Sequence, residues 1–431
     1  MNGKSASNES ATHPENLVDA PASGARGGTL AERAVLLAAH RIERGELTLH
    51  IGSRTERFGV RAPGELSAEI EVRNPRFFRA VATQGVIGVA DTYRDGDWDT
   101  PDLVAVVRLL VRNRAALSAV DGRLAFLTRP ARWLAHRLRR NTVGGSRRNI
   151  AAHYDLSNDF FALLLDKTMT YSAAVFENPH ATLEEAQLAK IDRLCRNLDL
   201  GPEDHLLEIG TGWGGFAIRA ASEFGCRVTT TTISKEQHAF AQERIRAAGL
   251  EKRIDLRLED YRDLRGTYDK VVSVEMIEAV GHEYYRDFFA QCARLTRPDG
   301  LFAMQAITIA DAHYDRARRT VDFIKERVFP GSNIPSVTAL LEAATRGSDW
   351  RLRHLEDITE HYCRTLAEWR ENLVAHTDAI EALGLERAFR RYWDFYLSYC
   401  EGGFAERHIG TAHLLFSRGE WRGTAPLSPA P

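Results

Sequence analysis

A run of glycines, a few acids and a few hydroxyls stand where this chain could do chemistry. The run is His205-Leu206-Leu207-Glu208-Ile209-Gly210-Thr211-Gly212-Trp213-Gly214-Gly215, followed by Phe216-Ala217-Ile218-Arg219-Ala220-Ala221. An apolar stretch reaches the acid Glu208, passes into glycines and resumes at helical spacing. Strand, glycine turn and helix in that order let a backbone approach a ligand closely and aim helix N-terminal amides at it. A nucleotide is the expected ligand. A dinucleotide turn has the form G-x-G-x-x-G, with an acid about 20 residues on for the ribose. Here the spacing is G-x-G-x-G-G, and the next run, Arg227-Val228-Thr229-Thr230-Thr231-Thr232-Ile233, ends without an acid. The turn is therefore disfavoured for NAD.

These residues need a scaffold, and the surrounding pattern supplies one. Residues 229–233, 254–258, 270–274 and 301–307 read as further strands, the last after the turn Pro298-Asp299-Gly300. Helices are expected over 235–248, stopped by Gly249, and over 284–295. Alternating strands and helices predict a parallel sheet with its ligand at the carboxyl ends of the strands. Ser172, Glu208, Thr232, Asp260 and Glu278 all fall at or near such ends, or in a flanking segment.

The rest of the chain divides around this unit. Residues 1–29 are rich in Ser, Ala, Asn, Gly and Pro and predict a disordered tail. Residues 30–128 predict a small α+β domain. A helix begins near Leu30, with Leu30, Ala34, Leu37 and Ile42 on one face, and strands lie at 46–51 and 68–72. Asn74-Pro75 breaks the chain, Asp95-Gly96-Asp97-Trp98 turns it, and Pro101 opens another helix. Residues 129–149 form a basic linker in which Arg129, Arg132, Arg137, Arg139, Arg140, Arg147 and Arg148 occur with no acid among them. Trp133, Leu134 and Leu138 are interleaved, which suits an anionic lipid surface. The unit of interest is 150–431. Beyond residue 350 the chain reads as mostly helical, with Tyr362, Leu366, Trp369 and Leu373 on one face and Phe389, Trp393, Tyr396 and Cys400 on another. Aromatics at helical spacing point to core more often than to a site.

Bulk composition narrows the function classes. The 431 residues are 44% apolar, enough for a large core, and the net charge of -2 recruits no nucleic acid. The five cysteines are widely spaced with no C-x-x-C pair, so neither a disulfide framework nor a zinc site is indicated, and a reducing cytoplasm fits. The apolar stretches are too short to span a bilayer, so the chain is expected to be soluble or only to touch a membrane.

The E-x-G-x-G-x-G arrangement from Glu208 resembles motif I of S-adenosylmethionine (SAM) methyltransferases. Further stretches narrow the resemblance: His153-Tyr154-Asp155-Leu156-Ser157-Asn158-Asp159-Phe160-Phe161, Met169-Thr170-Tyr171-Ser172-Ala173-Ala174, Val272-Ser273-Val274-Glu275-Met276-Ile277-Glu278-Ala279-Val280-Gly281, Phe329-Pro330-Gly331 and Tyr399-Cys400-Glu401-Gly402-Gly403-Phe404. Together, over about 150–418, they resemble the cyclopropane-fatty-acyl-phospholipid synthase family, which includes mycolic acid cyclopropane synthases. Residues 77–98 resemble the lipid-associated N-terminal domain of the bacterial phospholipid enzymes.

The resemblance implies an α/β, Rossmann-like SAM methyltransferase fold with a mainly parallel sheet, the small N-terminal domain and helical C-terminal additions. It implies methyl transfer from SAM to a cis double bond of an unsaturated phospholipid acyl chain, with closure of a cyclopropane ring. A peripheral protein at the cytoplasmic face of the membrane, often dimeric, is the implied setting. Tyr171 and Ser172 would contact the amino-acid portion of SAM, Glu208, Gly210, Gly212 and Gly214 would form the cofactor loop, and Thr232 and Gln237 would flank the ribose. Asp260 and Tyr261 would hold the adenine. Glu278 matches a glutamate that helps hold a bicarbonate base, Tyr362 the tyrosine beside it, and Cys400 an active-site cysteine. Two positions of that bicarbonate pocket depart from the family: Ala173 replaces a cysteine and Gln305 a histidine. The pattern around them resembles a branch that makes methyl- or methylene-branched fatty acids, so a branched product stands as the alternative to the ring. A SAM methyltransferase for a soluble small molecule is the other alternative.

Overall fold

The structure, a computed structural model, describes residues 29–117 and 157–424. The predicted tail, the basic linker and the first part of the His153 motif lie outside the described residues.

The chain begins with α1 (Leu30–Ala39), capped by the Thr29 hydroxyl, which accepts from the Glu32 amide. Its expected apolar face is buried only in part, through Ile42 just beyond the helix. Leu30 and Leu37 are 85% and 66% exposed, while Ala31, Val35, Leu36 and Ala39 pack on the core. Small residues let the helix lie close to its neighbours, and the two leucines fall on the opposite side at 3.6 residues per turn. Strands β1 (Glu46–Ile51), β2 (Arg54–Gly59) and β3 (Ser67–Val72) follow. Then come α2 (Arg76–Gln84), α3 (Val86–Arg94), the short β4 (Trp98–Asp99) and α4 (Leu103–Arg112). The sheet order is β2-β1-β3-β4. Strand β2 escapes a hydrophobic reading because it is a charged edge on which only Phe58 is buried.

The second part opens with α5 (Asn158–Leu164) and α6 (Leu183–Asn197), the latter held by a Thr182/Glu185 capping box. The α/β unit runs β5 (His205–Ile209), α7 (Gly215–Glu223), β6 (Arg227–Thr232), α8 (Lys235–Ala247), β7 (Ile254–Leu258), β8 (Tyr268–Val274), α9 (Tyr285–Leu295) and β9 (Thr296–Ile309). It continues with α10 (Asp311–Arg319), α11 (Val337–Gly347), β10 (Arg351–Asp357), α12 (Thr359–Ala375), α13 (Thr377–Ala382), α14 (Arg387–Ala405) and β11 (Ile409–Ser417). The sheet order is β10-β11-β9-β8-β5-β6-β7. Strands β7, β6, β5, β8 and β9 are parallel, and β11 is antiparallel to both β9 and β10.

The region beyond 350 is thus less helical than the sequence suggests. Strand β11 is almost wholly buried between two strands, so its residues lack the alternation that marks a half-exposed strand. Strand β10 is an exposed edge of mixed charge. Both are needed, because β11 closes the sheet over the side of β9 that carries Gln305.

Helix α14 joins the two parts. Its Trp393, Phe395, Tyr396 and Phe404 share a core cluster with Trp98 and Leu109 of the N-terminal part. The Arg108 and Arg112 guanidiniums pair with the two oxygens of Glu406 at 2.7 and 2.5 Å. Gly402 permits the contact: a Cβ there would lie 2.6 Å from Val107 Cγ1. Among the described residues no helix is long and apolar enough to cross a membrane.

Candidate active site

A cleft of about 680 Å³ opens at the carboxyl ends of β5, β6, β7 and β8. Its floor is the glycine turn. Gly210, Gly212 and Gly214 have φ of +103°, +51° and +86°. The Gly210 and Thr211 amides both donate to the Thr231 carbonyl, at 3.2 and 3.0 Å, pinning the turn to β6. Around Gly212 no atom of the described residues lies within 4 Å of where a Cβ would be, so among them its bare backbone faces open space. Gly214 is different: its missing side chain faces Ala241 of α8 at 3.3 Å. Among the expected loop glycines it seats helix on helix, while Gly210 and Gly212 line the cleft. A Cβ added at Gly215 would collide with the Thr168 carbonyl, so that glycine ties the turn to the segment leading into Tyr171.

The walls come from the other strand ends. Glu208 is buried and accepts from the Thr230 hydroxyl at 2.6 Å, and burial raises its pKa to about 8. The Thr232 hydroxyl donates to Gln237 Oε1 at 2.9 Å. Asp260 is buried and receives a two-pronged contact from Arg262, at 2.8 and 2.7 Å. Tyr261 packs edge-on against Phe288. Tyr171 shares a hydrogen bond with the Tyr396 hydroxyl at 2.9 Å.

Ser172 has a partner that the sequence did not announce. The ammonium of Lys190, on α6, donates to Ser172 Oγ at 2.7 Å, and Gln187 donates to the Ser172 carbonyl at 2.9 Å. Lys190 is fully buried, which lowers its pKa to about 8 and leaves it mostly cationic at neutral pH. With its oxygen held by the ammonium, the Ser172 hydroxyl hydrogen is free to turn toward the cleft. Lys190→Met is expected to weaken SAM binding about tenfold, the scale of one lost charge-assisted hydrogen bond, while the protein stays folded. Titration calorimetry checks it; an unchanged affinity means Ser172 does not face the cofactor.

The deeper half of the cleft is apolar and aromatic, with Phe329, Tyr362, Leu366, Tyr396 and Phe404 among its lining residues. At its base stand two acids, the expected Glu278 and Glu275, which the sequence did not single out. Glu275 Oε1 accepts from the Ala173 amide at 2.9 Å and from Gln305 Nε2 at 2.7 Å. Its Oε2 accepts from the Tyr362 hydroxyl at 2.8 Å. Tyr362 therefore stands beside Glu275, since α12 lays its hydroxyl at the end of β8. Burial pushes the Glu275 carboxyl up, opposed by these three hydrogen bonds. Burial also raises the Tyr362 hydroxyl well above its ordinary range, so it stays a donor.

Glu278 lies one short 3-10 turn further on, at Ile277–Ala279. Its Oε1 accepts from the Ile307 amide at 2.5 Å, and its Oε2 is buried without a hydrogen-bond partner among the described residues. Burial first, and the neighbouring Glu275 second, raise it to about 8. Below about 8 Glu278 is mostly neutral, and Glu275, with three donors against one, is the better placed of the two to carry charge. Cys400, on α14, lines the cleft as a free thiol that burial keeps protonated.

Gln305 is oriented from behind. The register pairs it with His413 of β11, and His413 Nε2 lies 2.8 Å from Gln305 Oε1. Burial holds His413 well below its ordinary pKa, hence neutral, with Nε2–H donating. The amide nitrogen is then turned to Glu275 and to the Ala173 carbonyl at 3.1 Å.

The residues present do not fit a bicarbonate ion in this pocket. The donors that would bind one, the Ala173 amide, Gln305 and Tyr362, are spent on Glu275, and the Ile307 amide is spent on Glu278. Sequence reasoning missed Glu275, Lys190 and His413. Glu275 carried a usable signal, an acid closing a buried strand just as Glu208 does. Lys190 carried a weaker one, since it falls with Gln187, Arg193 and Asn197 on the buried side of α6. For His413, inside an unforeseen strand, the sequence offered none.

Comparison with known proteins places the chain in a family. Residues 143–414 match the mycolic acid cyclopropane synthetase family. The chain is 37% identical over 371 residues to a tuberculostearic acid methyltransferase of Mycobacterium tuberculosis, covering 81% of this chain and 85% of that protein. It is 34% identical over 373 residues to the cyclopropane-fatty-acyl-phospholipid synthase of Escherichia coli, covering 85% and 92%. The solved cyclopropane synthase MmaA2 of Mycobacterium tuberculosis superposes with a TM-score of 0.59 at 32% identity, over 63% of this chain and 98% of that one. A related mycolic acid cyclopropane synthase, CmaA1, has been solved with S-adenosylhomocysteine, at the same TM-score and identity. The cleft fits SAM: a turn bare of side chains at Gly212, a cation-held hydroxyl at Ser172 and an aromatic ring at Tyr261. With its mainly parallel Rossmann-like sheet and a cleft for SAM as methyl donor, the chain is a SAM-dependent methyltransferase and belongs to the mycolic acid cyclopropane synthetase family.

Proposed function

We propose that the protein transfers a methyl(ene) group from SAM to the cis double bond of an unsaturated phospholipid acyl chain, forming a cyclopropane fatty acid. One observation carries this reading: the cofactor end of the cleft runs directly into an apolar, aromatic chamber with a carboxylate at its base. An alkene is a weak nucleophile, so it must be held in line with the reactive methyl and kept from water. The aromatic faces of Tyr362, Tyr396 and Phe404 suit the cation that attack creates on the lipid. In this reading Tyr171, Ser172, Glu208, Gly210, Gly212, Thr232, Gln237, Asp260 and Tyr261 hold SAM, while Tyr362, Gln305, Glu278 and Cys400 surround the reacting carbons.

The substrate side is supported by the surface of α1. Leu30 and Leu37 are exposed on the face that also carries Arg33, a pairing of apolar and basic groups suited to an anionic bilayer. A peripheral position at the inner face of the membrane follows from this reading.

A second product is favoured by a specific observation. The Ala173 and Gln305 positions differ from the ring-forming pattern, and one relative is a tuberculostearic acid methyltransferase. Loss of a proton after a hydride shift leaves a methylene branch with no ring. Incubating the purified protein with SAM and unsaturated phospholipid vesicles, followed by mass spectrometry of the fatty-acid methyl esters, tests both. A gain of one CH2 per modified chain is expected, and the fragments distinguish ring from branch. SAM turnover without any lipid mass gain would sink the lipid reading and leave a soluble substrate.

A further inference from the structure

We propose that Glu275 is the catalytic base of this enzyme, a carboxylate built into the chain in place of a diffusible anion. The inference rests on the reading of methyl transfer to a lipid alkene given above.

Three independent features single out Glu275. Its backbone is strained, with φ of +46° at a residue that has a side chain. Such strain costs on the order of 1–3 kcal/mol and persists where the surroundings enforce it, commonly at active sites. Its carboxylate sits in a cradle of three donors from three separate elements: the Ala173 amide, Gln305 of β9 and Tyr362 of α12. The cradle itself is braced, since His413 of β11 fixes which way the Gln305 amide points.

The hydrogen-bond inventory leaves room for one proton. A carboxylate offers about four lone-pair sites. Among the described residues two on Oε1 are taken by Ala173 and Gln305 and one on Oε2 by Tyr362, so Oε2 has one left. The neighbouring groups are poor candidates for the role. Tyr362 and Cys400 are held protonated, Gln305 is an amide, and Glu278 is the neutral member of the carboxyl pair. His413 stands behind Gln305, its Nε2 already committed.

The step balances without another reagent. The alkene π pair forms a bond to the methyl carbon as the carbon–sulfur bond breaks, leaving a neutral thioether and a cation on the lipid. Glu275 then takes one proton from the new methyl group, and that C–H electron pair closes the ring on the cationic carbon. If the cation has moved by a hydride shift, the same proton removal gives the methylene branch. Glu275 ends protonated and returns the proton to solvent before the next turnover.

The test uses the full chain and its Glu275→Gln and Glu275→Gly variants, with SAM affinity and circular dichroism as controls. Carbon-13-labelled bicarbonate is titrated with each protein while its NMR line width is followed. Turnover on unsaturated phospholipid vesicles is measured in carbonate-depleted and carbonate-supplemented buffer. The wild type should leave the bicarbonate line unchanged and turn over equally in both buffers. Glu275→Gln should bind SAM normally and lose turnover by about 100-fold or more, the scale of a general base. Glu275→Gly relieves the backbone strain and empties the cradle, so it should broaden the bicarbonate line and regain part of its turnover as bicarbonate is added. Saturable broadening by the wild type, or wild-type turnover in Glu275→Gln, would overturn the proposal. If the wild type modifies no lipid, the reading of function fails instead, and the NMR titration still decides whether Glu275 fills the cradle.

Discussion

Gly212→Asn should fold as the wild type does and lose SAM affinity by about 100-fold or more. Gly212 has φ of +51°, the left-handed region that asparagine enters at little cost. No atom of the described residues lies within 4 Å of the Cβ position, so none of them resists the new side chain. What resists it is the ligand, because the space beside Gly212 belongs to the cleft. A displaced or clashing cofactor costs a few kcal/mol, and every 1.4 kcal/mol is a factor of ten. Calorimetric titration with SAM, paired with a thermal melt, separates the two effects. An unchanged affinity would mean that the cofactor does not lie on this turn. The same experiment on Gly214 should give the opposite split, since a side chain there meets Ala241 and disturbs helix packing before it meets a ligand.

Glu278→Gln should stabilise the protein, and the gain should grow with pH. In the folded state Glu278 titrates near 8, above its ordinary 4.5, because burial and the charge of Glu275 disfavour ionisation. The folded protein therefore holds a proton that the unfolded chain releases between those values. The stability this proton supplies is fully present below pH 4.5 and is lost as pH rises through about 8. Glutamine keeps the shape and cannot ionise, so the variant does not suffer that loss. At 1.36 kcal/mol per unit the advantage is on the order of 4 kcal/mol at pH 8 and about 1 kcal/mol at pH 5, both as upper bounds. Melting temperatures of the two proteins at pH 5, 6.5 and 8 check it. A constant difference across that range would show that Glu278 is ionised throughout, and that Glu275 is the carboxyl kept neutral.

Much of the fold is legible in the order of residues alone. The strands at β5, β6, β7, β8 and β9 and the helices at α8 and α9 follow from apolar runs broken by glycine and proline, which are local signals. The buried face of α1 is not, because Ala31, Val35, Leu36 and Ala39 make the contact while the larger Leu30 and Leu37 face outward. Strands β2, β10 and β11 elude a pattern reading for a shared reason: two are charged edges and the third is buried on both faces, so none alternates.

The sequence by itself determined the cofactor end of the site. A glycine turn after an apolar strand, and acids and hydroxyls at strand ends, are encoded by neighbours in the chain, where backbone geometry does the positioning. Only the tertiary structure decided which of two neighbouring acids receives the donors of the cleft. Glu275 and Glu278 are three residues apart in one motif and look alike in sequence. What separates them is the arrival of Tyr362 from α12, the Ala173 amide from a distant loop and Gln305, turned by His413 across the β9–β11 register. Hydrogen-bond donors brought together from four separate stretches of chain leave no pattern in any one of them.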